Sequence, residues 1–85
     1  MAKLTSDQAF ENKSRKLVKK IWEANLNRSK DELASISLRA GFIEIRTGNT
    51  DINIHRSLFE DYFDATNNEL KETSIQRIKD YLRSL

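Results

Sequence analysis

Ile43-Glu44-Ile45-Arg46-Thr47-Gly48-Asn49-Thr50-Asp51-Ile52-Asn53-Ile54 is nearly self-complementary when folded back at Gly48-Asn49. In that register Ile45 faces Ile52 and Ile43 faces Ile54. Arg46 faces Asp51, and Glu44 faces Asn53. The isoleucines then share one face of a two-stranded ribbon and the polar pairs share the other. Gly-Asn is expected to supply the positive φ values that a two-residue hairpin turn needs. A lone hairpin is unstable in water, so its isoleucine face must rest on helices. Phe10, Trp22 and Phe59 are the candidate covers.

The flanking segments read as helices. Thr5-Ser6-Asp7-Gln8 has the spacing of a capping box. After it, Phe10, Leu17, Ile21 and Ala24 recur with a helical period, widened by Val18 and Trp22. Asn25-Leu26-Asn27-Arg28 ends this helix. Ser29-Lys30-Asp31-Glu32 reads as a second capping box, with Leu33, Ile36 and Ala40 on the buried face of a short helix that stops at Gly41. Phe42 to Arg46 and Asp51 to His55 form the hairpin. Ser57-Leu58-Phe59-Glu60 opens a third helix, and Asn67-Asn68 ends it or caps the next. Ile75, Ile78, Leu82 and Leu85 give an amphipathic last helix. The expected fold is therefore α+β and mainly helical: two helices, a β-hairpin at about 42–55, then two helices packed as one small domain.

Length and composition narrow the function. A chain of 85 residues holds one domain at most, and at this size only about 60–65% of the unfolded surface is buried. There is no cysteine and a single histidine, His55, so disulfides, Cys-based zinc sites and His-rich metal sites are excluded. Self-association is the remaining common reinforcement, compatible with a homodimer. No apolar run reaches the roughly 20 residues of a membrane span. Met1-Ala2-Lys3-Leu4-Thr5-Ser6-Asp7 lacks the apolar core of a secretory signal, so a cytoplasmic location is expected.

Catalysis finds little support in the residues. His55 stands alone at a strand–helix junction and reads as an exposed or capping residue. Glu60, Asp61 and Asp64 read as a solvated helix face, not a metal site. Gly41 and Gly48 are isolated, so there is no phosphate-cradling glycine loop. The expectation is a non-enzyme without cofactor. Phe59-Glu60-Asp61-Tyr62-Phe63 resembles the peptides that dock on sliding clamps, but Arg56 stands where such peptides carry glutamine. Core packing is the better reading of those aromatics.

The formal charge of +2 conceals an asymmetry. Residues 1–30 carry a net charge of +5, and residues 51–70 carry −4. Lys13-Ser14-Arg15-Lys16-Leu17-Val18-Lys19-Lys20 would set a row of cations on one helix, suited to phosphates. Lys13, Arg15, Lys16, Lys19 and Lys20 are thus candidate nucleic-acid contacts, with Arg46 near the hairpin tip as a further one. The element order is not that of a winged helix, since only two helices precede the hairpin. The expected function is a small regulatory protein that binds nucleic acid through its basic N-terminal helix. The alternative is a protein-binding adaptor or inhibitor, using the acidic third helix or the hairpin edge.

Overall fold

The computed structural model describes residues 5–85. Residues 1–4, part of the segment read above for the lack of a leader, lie outside that range. The order is α1 (Ser6–Lys20), continued by a wider π-helical turn (Ile21–Asn25), a single 3-10 turn (Lys30–Glu32), β1 (Leu33–Arg39), β2 (Phe42–Thr47), β3 (Asp51–His55), α2 (Arg56–Asp64) and α3 (Asn68–Leu82). The fold is α+β and mainly helical. The three strands form one antiparallel meander with β2 at its centre.

The β2–β3 register is the one expected, including Ile43↔Ile54, Ile45↔Ile52 and Arg46↔Asp51. The segment expected as a second helix is instead β1, paired with β2 through Ile36↔Ile45 and Leu38↔Ile43. Leu33, Ile36 and Ala40 mimic a helical stripe. The competing pattern is Ser35-Ile36-Ser37-Leu38, which alternates polar and apolar with period two. Adding this strand gives β2 a partner on both sides, which a lone hairpin lacks. Ser29 does cap, but only the single 3-10 turn.

Two turns also differ from expectation. The left-handed residues sit at Ala40 (φ 49°) and Gly41 (φ 82°), in the β1–β2 turn. Gly41 is thus a hairpin residue, not a helix stop, and the two positive φ values match the twist of the flanking strands. Gly48 and Asn49 make the β2–β3 turn without positive φ, closed by Thr47 N–H donating to Thr50 O at 2.8 Å. The helix after the sheet is capped by His55, whose side chain accepts from Ser57 N–H, and not by Ser57. Asn67 caps α3, its side chain accepting from Leu70 N–H.

All three helices contribute to the core on one face of the sheet. Leu17, Val18, Ile21 and Trp22 meet Ile36, Ile43, Ile45 and Ile54, closed by Phe59, Ile78 and Leu82. Trp22 and Phe59 are fully buried, as expected of covers, and Phe10 packs partly buried at the margin. The opposite sheet face carries Ser35, Ser37, Arg39, Phe42, Glu44, Arg46, Asp51, Asn53 and His55, alternating with the buried positions. No helix is long and apolar enough to cross a membrane among the described residues.

Candidate nucleic-acid interface

The helix that carries the basic row is anchored at both ends. At its start Thr5 and Gln8 exchange side-chain and backbone hydrogen bonds at 2.9 and 3.1 Å, the reciprocal capping box expected from the sequence. At its end the chain widens, with Leu26 N–H bonded to Ile21 O and Arg28 N–H to Trp22 O. Asn27 adopts φ 54° there, the left-handed conformation that closes a helix terminus. Trp22 Nε1 donates to Ser29 O at 2.8 Å, and Arg28 stacks over the Trp22 ring at 4.1 Å. Arg28 also donates to Leu85 O and Glu32, joining the end of α1 to the far end of the chain.

Between these anchors α1 turns Ser14, Leu17 and Val18 inward and leaves Lys13, Lys16, Lys19 and Lys20 exposed. Lys16, Lys19 and Lys20 lie at i, i+3 and i+4 and so share one side of the helix. Lys13 lies one turn earlier, its Nζ 5.7 Å from the centre of the Phe63 ring. Glu60 and Asp64 line the same surface recess of about 400 Å³ as Lys13, which offsets its charge. None of Lys13, Lys16, Lys19 and Lys20 makes an ion pair among the described residues, and Glu23 lies one turn beyond Lys19 and Lys20 on the continuing helix.

Arg15 has other work. Its guanidinium donates to Ile36 O at 3.1 Å, pairs with Glu11 at 3.1 Å and reaches Asn12. Glu11 in turn accepts from Leu38 N–H at 2.8 Å. Ile36 and Leu38 are the β1 residues whose peptide groups point away from β2. The Glu11–Arg15 pair thus satisfies a donor and an acceptor on an otherwise bare strand edge, the feature that sheets must protect. Nothing local in the sequence marks this role, because the partners lie 21 and 27 positions away.

Arg46 is exposed on the sheet face opposite α1, so the structure does not bring it together with the lysines. Its cross-strand neighbour Asp51 makes no ion pair with it among the described residues. The acidic residues of α2 are engaged in part by arginines: Glu60 with Arg56 at 3.6 Å and Asp61 with Arg77 at 4.0 Å. The aromatics of the same helix belong to the core and its margin, with Phe59 fully buried and Tyr62 and Phe63 packed against it. That placement removes the docking-peptide reading. His55 is a helix cap stacked edge-on against Phe42.

Scanned against protein-family models, curated proteins and solved structures, the chain gives no match.

Proposed function

We propose that this chain is a small non-enzymatic regulator that binds nucleic acid through phosphate contacts from the outer side of α1. Lys16, Lys19 and Lys20 carry the contacts, Lys13 extends the row, and Arg15 holds the helix on the sheet. Arg46 serves a separate surface. The supporting observation is a division among the cations. Every ion pair among the described residues uses an arginine, and no lysine of α1 takes part. Like charges at i, i+3 and i+4 cost a helix about 0.2–0.5 kcal/mol per pair, and a polyanion reverses that cost.

Three phosphate contacts on duplex DNA give a slope of log affinity against log salt of about −2.7, a loss of about forty-fold between 50 and 200 mM salt. Replacing Lys16→Glu and Lys19→Glu together abolishes binding while leaving the fold intact. A double variant that binds DNA and RNA like the parent refutes the proposal. The protein-binding alternative uses another surface, the acidic side of α2 or the edge of the β2–β3 hairpin. A parent protein that ignores nucleic acid at low salt moves the weight there.

A further inference from the structure

The two outer strands of the sheet are finished differently. The edge of β1 is closed by Glu11 and Arg15 from α1. The edge of β3 has no such closure. Thr47 N–H bonds to Thr50 O, and Arg56 N–H to Gly41 O, which fixes the parity of the β2–β3 ladder. Ile52 and Ile54 then bond inward to β2, and the peptide groups of Asp51 and Asn53 and the N–H of His55 point outward, while the His55 carbonyl opens the α2 ladder as its N-cap. Their side chains are exposed, and no side chain among the described residues bonds to those outward groups.

The strand itself says what fits there. Asp51-Ile52-Asn53-Ile54-His55 is self-complementary when reversed about Asn53. We propose that β3 pairs antiparallel with β3 of a second copy of this chain, centred on Asn53, to make one continuous six-stranded sheet. Asn53 meets Asn53 of the second copy, Ile52 meets its Ile54, and Asp51 meets its His55. The outward groups fall opposite one another as hydrogen-bonded pairs; the 53/53 pair supplies two main-chain bonds and each 51/55 pair one, from His55 N–H to the facing Asp51 carbonyl, about four in all. The His55 ring fits its role. Nδ1 accepts from Ser57 N–H at 3.1 Å, which leaves Nε2–H to donate to the facing Asp51 carboxylate. The two-fold axis is closed and isologous, so pairing stops at two copies. Both helical layers lie on the same side of the joined sheet. The pairing shares no residue with the lysine row and does not rest on the nucleic-acid reading.

The test uses the intact chain, which has no native cysteine. Across a hydrogen-bonded antiparallel pair the Cα atoms are about 5.5 Å apart, within disulfide reach. Under mild oxidation Asn53→Cys becomes a covalent dimer on non-reducing gels, far faster than the control Asn49→Cys at the β2–β3 turn. By sedimentation equilibrium the parent has twice the 9.9 kDa chain mass. Asn53→Pro, which removes an outward donor that the single chain does not use, sediments as one chain with an unchanged circular dichroism spectrum. A parent that sediments as one chain at millimolar concentration overturns the proposal. So does Asn53→Cys cross-linking no faster than Asn49→Cys.

Discussion

Replacing Glu11→Ala tests whether α1 closes the sheet through its side chains. The substitution removes the acceptor of the Leu38 N–H, now at 2.8 Å, and the partner of Arg15 at 3.1 Å. A hydrogen bond to a charged group contributes about 1.5–3 kcal/mol when buried. Here the Glu11 side chain is 29% exposed, so water replaces part of that bond and the ion pair adds little. The expected loss is about 1–2 kcal/mol, or a Tm lower by about 5–12 °C for a domain of this size. Helix propensity works the other way, since alanine is the better helix former, so it cannot produce the loss. Urea denaturation measures the total, and amide exchange at Leu38 localises it: protection at that amide falls while protection at Ile45 and Ile54 on the far side of the ladder follows global stability. A double-mutant cycle with Arg15→Ala yields a coupling of at least about 0.5 kcal/mol. Stability within about 0.3 kcal/mol of the parent, with Leu38 exchange unchanged, refutes the closure.

Two further substitutions test the turn and the core. Ala40 holds φ 49° without the latitude of glycine or asparagine, so Ala40→Asn is expected to raise stability by about 0.5–1 kcal/mol in thermal melts. Ser14 is fully buried on α1 and its Oγ has no hydrogen-bond partner among the described residues, so Ser14→Ala raises the denaturation midpoint by the equivalent of about 1 kcal/mol.

The ribbon from 43 to 54 was legible because its signal is local and redundant. Two apolar pairs and two polar pairs all require one register, and slipping by a single residue would turn every isoleucine to solvent. The first and last helices were legible for the same reason, with caps at Thr5 and Asn67 agreeing with their apolar periods. The β1 segment was not. Leu33, Ile36 and Ala40 satisfy a helical period as well as Ile36 and Leu38 satisfy a strand period, and only pairing with β2 decides between them. The lysine row could be placed on one helix side from spacing alone. The separation of Arg46 from that row, and the diversion of Arg15 to the backbone of Ile36, are tertiary outcomes without a local mark. The acid–aromatic run of α2 divided in the same way. Its aromatics went to the core and two of its acids to arginines on α2 and α3.

The clasp that Glu11 and Arg15 make on β1 gives the opening helix a second duty, that of chaperone to its own sheet. A fragment starting at β1 would lose Leu17, Val18, Ile21 and Trp22 from the core and leave Leu33 to Leu38 as a bare, partly apolar template to its neighbours. Such a piece should precipitate or grow into fibres. Loosening that grip trades a modest change in stability for a new route to aggregation.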